Sequence, residues 1–502
     1  MSRENAGDGP LILAIDLGTT DAKSGLFTLD GRLVGLARAG YPTNRNGHGV
    51  AEQDPAAWWT AVAGTTRQLA AGSGSSNRSR AAEIVAICCV GQGPTLVPTD
   101  ALGRATGPAI TWLDTRAAVE VDELAAMTGR FSWELGVLPA ALHLERNDPA
   151  TLGDARWYLN AWEAIACRMT GVAAETRLIG QLRADPSDVA GSGIRTDRLP
   201  PVVAAGERLG ELLAEPADDL GLAAGTPVVA GTVDAYASFF GAGLLEPGDA
   251  VDTGGTSGGF AVYTDRALRI PGSFCAPAPV PGLWVLGGAM NATGKALDWF
   301  AGAVIDGTLS VEELLAEAAL IRPGSAGLIF LPYLAGERSP IWDPDARGAF
   351  VGLTLGHTRG HLARAVVEAA ALALRQVISP IVAAGASIRE LRVSGGPAQS
   401  LAWNQLKADV TGLVVAVPRV PETALLGAAI TAATGIGAHP DVTTATRRMV
   451  AIERRLPPDP AARAIYDEVY AIYVDLYPTL ASAFHRLAAV EEASAGPRPD
   501  TW

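Results

Sequence analysis

Apolar and polar residues follow one another in short blocks along most of the chain, and these blocks predict strands alternating with helices. Residues 11–40 predict three strands joined by two turns, the second turn being marked by Asp30-Gly31. Asp54-Pro55 predicts the start of a helix over about 55–71, since Asp caps a helix and proline fits its first turn. Further strands are predicted at 84–90, 227–231, 250–263, 284–289, 327–331, 390–393 and 414–417, and further helices at 116–130, 155–170, 235–243, 294–303, 358–385, 399–412, 423–434 and 460–488. This succession is typical of an α/β fold.

One pattern near the start of the chain returns about half a chain later. Residues 14–20 read Ala-Ile-Asp-Leu-Gly-Thr-Thr, and residues 250–257 read Ala-Val-Asp-Thr-Gly-Gly-Thr-Ser. In both, an apolar strand meets Asp, a turn of glycine and hydroxyl residues follows, and a second apolar strand comes next. Such a turn suits a polyphosphate, because glycine lets backbone N–H groups approach oxygens and a carboxylate can hold a metal through water. Two copies predict a duplicated fold with domains over 1–245 and 246–502 and phosphates bound between them.

Composition excludes several classes of partner. A net charge of -14 argues against a nucleic-acid or anionic membrane surface. The four cysteines lack metal-ligand spacing, so we expect buried free thiols in a reducing cytoplasm. The polar start has no signal core, and the Ala-rich stretch 366–374 contains Glu368 and is flanked by arginines, which predicts a buried helix. We therefore expect a cytoplasmic protein without a nucleic-acid or membrane partner.

The first turn supplies the first set of candidate functional residues. A metal-organising carboxylate and phosphate-binding donors are predicted at Asp16, Gly18, Thr19, Thr20 and Lys23. The alternative is a hairpin between exposed strands, in which Asp and Gly only form the turn. The recurrence at 250–257 favours the phosphate interpretation.

Asp234 is a candidate general base. It lies just past the predicted strand 227–231, and the carboxyl ends of strands are where ligands bind in open α/β sheets. A base there would accept the proton of a substrate hydroxyl as that hydroxyl attacks a γ-phosphoryl group. The alternative is a helix N-cap, which the local sequence alone favours.

Two later segments bear on a nucleotide. Gly395-Gly396-Pro397 after a strand would let the backbone lie against a flat ring, although a strand–helix turn capped by Ser400 fits equally well. Residues 288–296 resemble a P-loop, but their glycines are one residue too far apart and no Ser or Thr follows Lys295. The chain has neither a Walker A motif nor a dinucleotide fingerprint, so a nucleotide site must be of another kind.

Taken together, the motifs resemble those of the FGGY carbohydrate kinases, nearest to the xylulokinase-like branch. The resemblance covers about residues 11–480. It rests on a series of motifs in order: Asp16-x-Gly-Thr-Thr, Trp112-x-Asp114-x-Arg116, Ala230-Gly-x-x-Asp234, Gly255-Thr-Ser-Gly, Leu334-Ala-Gly-Glu337-Arg338-x-Pro340, Asp343-x-x-Ala346-Arg347-Gly348 and Ser394-Gly-Gly-x-x-x-Ser400-x-x-Trp403-x-Gln405-x-x-x-Asp409.

The resemblance implies a fold, a reaction and a set of residues. The fold is a pair of actin-like (ribonuclease H-like) domains with a nucleotide and sugar cleft between them, and the reaction is phosphoryl transfer from ATP with Mg²⁺. It implies Asp234 as the catalytic base and Asp16 as the carboxylate near magnesium. Phosphate or nucleotide contacts are implied for Thr19, Thr20, Gly255, Thr256, Gly294, Asp298, Gly396 and Ser400, and a largely structural role for Glu337, Arg338, Asp343 and Arg347.

One departure concerns the acceptor. Xylulokinases carry Met-His after Gly-Gln at the end of the sugar-domain strand, whereas here Gly91-Gln92 is followed by Gly93-Pro94. Ala235 also stands where Asn or Gln is common after the base. Lost hydrogen-bond partners can change specificity greatly. The implied acceptor, contacted by Gln92, Gly93, Pro94 and Asp234, is therefore a ketose or polyol, with a xylulose-like sugar first and ribulose, gluconate, glycerol or erythritol as alternatives.

Two other classes of function compete with a sugar kinase. A non-catalytic actin-like ATP-binding switch protein would bind the nucleotide without sugar-dependent ADP release. A sugar-sensing pseudokinase is disfavoured by intact Asp16 and Asp234. For the kinase, we expect a small-molecule sugar or polyol as partner and closure of the cleft to exclude water, with a homodimer as the candidate assembly.

Overall fold

The computed structural model describes residues 9–47, 49–72, 79–130, 132–177, 185, 187–254 and 258–495. Up to residue 243 the strands are β1 Leu11–Leu17, β2 Asp21–Thr28, β3 Leu33–Gly40, β4 Glu52–Gln53, β5 Ile84–Gly91, β6 Val97–Thr99, β7 Ala109–Ile110, β8 Trp157–Leu159, β9 Glu175–Arg177, β10 Val202–Ala204, β11 Arg208–Glu211 and β12 Pro227–Val229. The α-helices are α1 Pro55–Ala70, α2 Ala118–Thr128, α3 Leu138–Asn147, α4 Pro149–Leu152, α5 Ala161–Thr170, α6 Ala214–Leu220 and α7 Asp234–Gly241.

The remainder of the chain continues the alternation of strands and helices. Its strands are β13 Asp249–Thr253, β14 Gly258–Thr264, β15 Phe274–Pro277, β16 Trp284–Met290, β17 Ile329–Leu331, β18 Ala349–Val351, β19 Glu390–Ser394, β20 Val415–Pro418 and β21 Ile452–Leu456. Its α-helices are α8 Lys295–Trp299, α9 Val311–Ala319, α10 Arg359–Ala383, α11 Leu401–Thr411, α12 Thr423–Gly435, α13 Val442–Met449 and α14 Pro460–Ala495. Short 3-10 turns lie at Ala81–Glu83, Ser132–Leu135, Thr196–Arg198, Ser325–Gly327 and Gly396–Gln399, and a π-helical turn at Phe300–Val304.

Two mixed sheets repeat one topology. The first has the order β11-β12-β5-β1-β2-β3, and the second, taken from its other edge, has the order β21-β20-β19-β13-β14-β16-β15. In each, the three adjacent strands that include the Asp-bearing strand β1 or β13 are parallel, and the remaining pairs are antiparallel. The shared order and directions confirm the α/β class and agree with the duplication that the recurring turn predicts.

The chain forms two compact units that are not continuous halves. One unit comprises Met1–Gly243 together with Thr423–Val450, and the other comprises Leu244–Glu422 together with Ala451–Trp502. The predicted boundary between 245 and 246 lies two residues after the point between Gly243 and Leu244 where the chain first passes from one unit to the other. The return of residues 423–450 to the first unit was not predicted, because it depends on packing between segments far apart in sequence.

The first sheet of the first unit is covered on both faces. Leu13, Ile15 and Leu17 of β1 belong to the apolar cluster that also contains Trp58 of α1 and Ile165 of α5. Successive strand residues point to opposite faces, so Asp16 stands on the other face. Helix α12 packs there against β1 and β5 and also packs on α7. This arrangement sets Asp16 and the start of α7 on the same side of one sheet.

One predicted helix is wrong at its beginning. Residues 155–170 were expected to be helical throughout, but Trp157–Leu159 pairs with β6 as β8, and α5 begins only at Ala161. Asn160 and Glu163 form a reciprocal capping box that starts the helix at this point. The apolar run before Asn160 therefore belongs to a strand, which periodicity over so few residues cannot distinguish from a helix.

Among the described residues one helix, α10, is long and apolar enough to cross a membrane by length and composition alone. Of its most apolar 18-residue window, 72% is buried inside the protein. Its side chains Val366, Leu372 and Val377 pack in the apolar clusters of the second unit. Helix α10 is therefore a core helix of that unit, as the Ala-rich stretch predicted.

Candidate active site

The first turn places a carboxylate and an ammonium on one face. Asp16 is buried, and its register partner across the β1–β2 pair is Lys23, so the two side chains stand side by side on the sheet. The backbone N–H of Gly18 donates to the carbonyl oxygen of Asp21 at 3.0 Å and closes the turn. The Tyr41 hydroxyl donates to the carbonyl oxygen of Gly18. The turn is thereby held rigid next to Asp16.

The two hydroxyl residues of this turn differ in exposure. Thr19 is half-buried and Thr20 is exposed. The indole Nε1 of Trp112 donates to Thr19 Oγ1 at 3.1 Å. Both residues lie at the carboxyl end of β1, which is the position expected for a phosphate-binding turn.

Asp234 is the first residue of α7, and its side chain does not act as the helix cap. The N-cap residue is Val233, and Asp234 Oδ1 accepts a hydrogen bond from the N–H of the adjacent Ala235 at 2.6 Å. Burial and, to a smaller extent, the Asp16 carboxylate raise the pKa of Asp234 from 3.8 to about 7, although the Ala235 N–H and Lys23 act to lower it. Asp16, Lys23 and Asp234 therefore form one electrostatic group, and a carboxyl group with a pKa near neutrality suits proton transfer.

Glycines at two contacts determine where α7 lies. A Cβ atom on Gly231 would lie 1.8 Å from the carbonyl oxygen of Cys89, so only glycine lets the chain pass β5 at this point. A Cβ atom on Gly427 of α12 would lie 1.9 Å from the carbonyl oxygen of Ala237 in α7. The backbones of α7 and α12 are in contact, and this contact supports Asp234. The small-residue helix predicted at 423–434 thus has a positioning role.

A pair of buried amides connects the end of β5 to the first turn. Gln92 Nε2 donates to Gln53 Oε1 at 2.8 Å, and Trp58 Nε1 donates to the same oxygen at 3.1 Å. Gln53 Nε2 in turn donates to the carbonyl oxygen of Thr19 at 2.7 Å. Gln92 Oε1 is buried and has no hydrogen-bond partner among the described residues, which leaves an acceptor for a ligand hydroxyl or a water.

Gly93 is fixed as glycine by a neighbouring ring. A Cβ atom at this position would lie 2.9 Å from Cζ3 of Trp162 and 3.5 Å from Cγ2 of Val233, which directly precedes the candidate base. Trp162 is buried, and its Nε1 donates to Thr176 Oγ1 at 2.7 Å. The ring cannot move without losing this bond. Gly93 and Pro94, both half-buried, therefore present backbone and ring atoms where the resemblance places side chains in xylulokinases.

The second turn differs from the first in its charge. Asp252 on β13 is buried like Asp16, but its carboxylate bonds Lys407 Nζ of α11, which is also buried. Gly254 is half-buried at the start of the turn. The predicted phosphate-binding residues Gly255 and Thr256 lie outside the described residues, so the turn itself is not described.

Two further predicted nucleotide residues lie around α8. Gly294 is half-buried, precedes α8 and shares a small cavity with Gly254, Thr293 and Lys407. Asp298 is exposed on α8 and is not among the residues that line this cavity. The structure therefore brings Gly254 and Gly294 together and leaves Asp298 apart from them.

The end of β19 provides an open surface. Gly395 adopts φ 73°, a conformation that favours glycine, and its N–H donates to the carbonyl oxygen of Pro421 at 2.9 Å. A Cβ atom on the exposed Gly396 would meet no heavy atom within 4 Å. Ser400 caps α11, its Oγ accepting from the N–H of Trp403 at 3.3 Å. This segment is at once a capped strand–helix turn and an unobstructed backbone surface, so the two interpretations of it are compatible.

The motif residues between 337 and 347 form hydrogen bonds to other parts of the second unit. Glu337 accepts from the N–H of Asn291 at 2.9 Å, and burial raises its pKa to about 7. Asp343 accepts from the hydroxyl of Tyr477 at 2.8 Å and from His485 Nε2 at 2.9 Å. These contacts join the segment before α8 and the helix α14 to one loop, which agrees with a largely structural role.

The predicted residues of the first unit gather at one edge of its sheet. β1, β5 and β12 are adjacent and parallel, and their carboxyl ends lead to a set of residues that contains Asp16, Gly18, Thr19, Thr20, Lys23, Gln92, Gly93, Pro94 and Asp234. Three residues that bear on the sites were not predicted: Gln53, Trp162 and Lys407. The sequence carried a weak signal only for Gln53, which lies in the polar segment that opens α1.

Comparison with known proteins gives consistent matches over most of the chain. Residues 11–241 match the model of the N-terminal domain of the FGGY family of carbohydrate kinases, and residues 250–436 match that of its C-terminal domain. The xylulose kinase of Escherichia coli (strain K12) is 31% identical over 424 residues, covering 80% of this chain and 85% of that protein. The gluconokinase of Bacillus subtilis (strain 168) is 28% identical over 510 residues, covering 95% and 97%. The crystal structure of xylulose kinase from Rhodospirillum rubrum is 31% identical with a TM-score of 0.76, covering 95% of this chain and 100% of that one.

Proposed function

The chain belongs to the FGGY family of carbohydrate kinases and is a sugar kinase that uses ATP, and from this premise we propose that it phosphorylates a primary hydroxyl of a ketose or polyol. A xylulose-like sugar is the first candidate for the acceptor, because xylulose kinases recur among the relatives. One observation carries the proposal: the carboxyl group of Asp234 interacts with the Asp16 carboxylate and Lys23 and has a pKa of about 7.

Asp234 is proposed as the general base. Its carboxylate takes the proton of the acceptor hydroxyl, the hydroxyl oxygen forms a bond to the γ-phosphorus of ATP, and the bond from that phosphorus to the bridging oxygen breaks. ADP leaves with the electron pair of the broken bond, and the proton on Asp234 later passes to solvent. A base of pKa near 7 accepts a proton at neutral pH and releases it again without a large barrier.

The first turn is proposed to hold the transferred group. The N–H groups and hydroxyls of Gly18, Thr19 and Thr20 are donors for phosphate oxygens, and the Lys23 ammonium offsets developing negative charge. The buried carboxylate of Asp16 suits Mg²⁺, which prefers oxygen ligands, keeps several waters and needs only one or two carboxylates beside the phosphates. Among the described residues no group of three or more His, Cys, Asp or Glu side chains could form an all-protein metal site. Bound Mg²⁺ would neutralise charge on the phosphates.

The remaining nucleotide contacts are proposed in the second unit. Gly255 and Thr256 would continue the second phosphate turn that begins at Gly254, and Gly294 would approach the phosphates from α8. Asp298 is proposed near the ribose. Adenine is proposed to lie against the open backbone of Gly395 and Gly396, beside the Ser400 cap.

The acceptor is proposed to contact Gln92, Gly93 and Pro94 beside Asp234. Gln92 Oε1 supplies one buried acceptor for a sugar hydroxyl. Gly93 and Pro94 offer no side-chain donor, and Trp162 excludes a larger residue at position 93. We therefore expect an acceptor that makes fewer polar contacts on this side than D-xylulose makes with Met-His in the resembling enzymes.

An ADP-release screen tests the proposal. Purified protein with Mg-ATP is offered ketopentoses, ketohexoses, tetroses, gluconate, glycerol and other polyols, and ADP is measured by a coupled assay. We expect one or a few acceptors to raise ADP release far above the rate with ATP alone. A flat response across ketoses and polyols would contradict the proposed acceptor class.

A further inference from the structure

Each of the few lysines of this chain lies next to a residue of a candidate phosphate-binding segment or of the strand that leads to one. Of its 39 Lys and Arg residues only three are lysines, Lys23, Lys295 and Lys407. Lys23 stands beside Asp16, Lys295 follows Gly294, and Lys407 lies on α11. A lysine ammonium is a compact point charge, whereas the guanidinium of arginine is a wide fork. Because arginine supplies nearly all of the positive charge of this chain, we interpret these three positions as ones that require the compact ammonium of lysine.

Lys407 differs from the other two by being buried against a carboxylate. Its Nζ bonds Asp252 Oδ2, both side chains are about 5% exposed, and Nζ lies 5.6 Å from the ring centroid of Trp403. Lys23 is half-buried and Lys295 is exposed. Two charges leave water at a substantial cost, and a pair of this kind is retained only when its geometry offsets that cost.

The ion pair faces a cavity that also reaches the candidate phosphate glycines. The cavity has a volume of about 20 Å³, room for roughly one water. Its lining includes Asp252, Lys407, Gly254, Gly294 and Trp403. Trp403 Nε1 is buried and has no hydrogen-bond partner among the described residues. A buried carboxylate thus lines the same cavity as two glycines that are proposed to approach phosphate oxygens.

The duplication explains why this carboxylate needs a partner. Asp252 holds the place in β13 that Asp16 holds in β1, but Asp16 has Lys23 as its register partner, whereas the register partner of Asp252 is Phe260. An uncompensated carboxylate at this place would repel phosphate oxygens, and the repulsion is strong where the surroundings exclude water. Lys407 supplies from α11 the positive charge that β14 does not.

We propose that Lys407 is a positioning residue of the nucleotide site, which permits phosphate binding at Gly254 and Gly294 by neutralising Asp252. The inference rests on the proposed function, since it takes the phosphates to lie at these glycines. Lys407 acts on the nucleotide through Asp252 and makes no bond to it.

A calorimetric titration of the whole protein with ADP measures the Kd for the nucleotide and so tests the inference without any acceptor. Lys407→Met leaves the carboxylate uncompensated, and we expect the Kd for ADP to rise at least about tenfold. Asp252→Asn removes the negative charge and is expected to leave the Kd unchanged or lower it. The double variant Asp252→Leu/Lys407→Met replaces the pair with apolar groups, a change that is often neutral for stability, and we expect a Kd within about threefold of wild type.

A matched control lies on the same strand. Arg389 pairs with the buried Asp249 at the start of β13, away from the glycines that line the cavity. Arg389 is itself 47% exposed, and Arg392 also pairs with Asp249 at 3.2 Å, so the carboxylate stays compensated without Arg389. Arg389→Met should leave the Kd for ADP unchanged, which separates loss of an ion pair on β13 from loss of nucleotide binding.

Three results would overturn the inference. An unchanged Kd in Lys407→Met would show that the pair does not affect the nucleotide. A Kd in the double variant as weak as that of a folded Lys407→Met would show that Lys407 binds the nucleotide itself. If Lys407→Met does not fold, a tenfold rise in the double variant alone contradicts the account. Acceptor-dependent ADP release by wild type reads the proposed function separately, so either can fail while the other stands.

Discussion

Replacing Asp234 with asparagine should make the protein more stable at alkaline pH while abolishing most of its activity. The carboxyl group has a pKa of about 7 in the folded protein against an ordinary value of 3.8, chiefly because burial disfavours its charge. Well below pH 3.8 the group is neutral in both states and costs no stability. As the pH rises towards 7 the unfolded chain ionises first, so the folded protein loses stability, and the loss is complete above about pH 7.

The size of the effect follows from the two pKa values. The difference between 3.8 and about 7 corresponds to roughly 4 kcal/mol. Asparagine carries no charge and can keep the hydrogen bond from the Ala235 N–H through its amide oxygen. The gain in stability of Asp234→Asn should therefore grow from about 1 kcal/mol at pH 4.5 to roughly 4 kcal/mol at pH 8.

Thermal melting at pH 4.5 and pH 8 measures this gain. The shift of the unfolding midpoint is the readout, because a chain with two compact units need not unfold in one step. The matched control is Asp475→Asn on the exposed surface of α14, where we expect a change within about 0.5 kcal/mol at both pH values. A gain that is equal at the two pH values, or a loss at pH 8, would refute the raised pKa assigned to the carboxyl group of Asp234.

Three further substitutions test other parts of the site. Asp16→Asn removes the nearby charge that raises the pKa of Asp234, so the acid limb of the kcat/KM pH profile, expected near pH 7 in wild type, should move to lower pH in steady-state assays. Gly427→Ala puts a methyl group 1.9 Å from a carbonyl oxygen of α7, and we expect a loss of about 1–3 kcal/mol in urea unfolding together with reduced kcat. Gly93→Met puts its Cβ 2.9 Å from the ring of Trp162, and we expect reduced stability in the same assay with no gain of D-xylulose turnover.

Each of these has a control and a contradicting result. The acid limb should keep its position in Asp475→Asn, and an unshifted limb in Asp16→Asn would contradict the proposed coupling. Gly64→Ala in α1, where a Cβ atom meets no heavy atom within 4 Å, is the control for Gly427→Ala, and equal stability of the two variants would contradict the close approach of the helices. Efficient D-xylulose turnover by Gly93→Met would show that the ring of Trp162 does not restrict position 93.

The sequence predicted those features that repeat or that local chemistry determines. The Asp-Gly-Thr turn and its second copy predicted a duplication, and the two sheets share one strand order. The Asp54-Pro55 start predicted α1, which begins at Pro55. Asp234 shows where local sequence fails. Its sequence context favoured a helix cap, whereas in the structure Val233 is the N-cap residue and the Asp234 carboxyl group interacts with Asp16 and Lys23.

What could not be predicted depends on contacts between distant segments. The return of residues 423–450 to the first unit follows from glycine-to-backbone contact between α12 and α7, and neither helix alone indicates it. Trp162 meets Gly93 across 69 residues of sequence, and Lys407 meets Asp252 across 155. In each case the deciding quantity is a distance between atoms of segments far apart in sequence, which periodicity and composition do not contain.

The most direct test of the central claim is acceptor-dependent ADP release by wild type and Asp234→Asn with the best acceptor of the screen. Loss of a general base costs typically a factor of 10²–10⁴, and we expect a fall in kcat of that order in a variant that still binds ADP and melts cooperatively. Wild-type turnover in this folded, nucleotide-binding variant would contradict the assignment of Asp234 as the base, and with it the proposed mechanism.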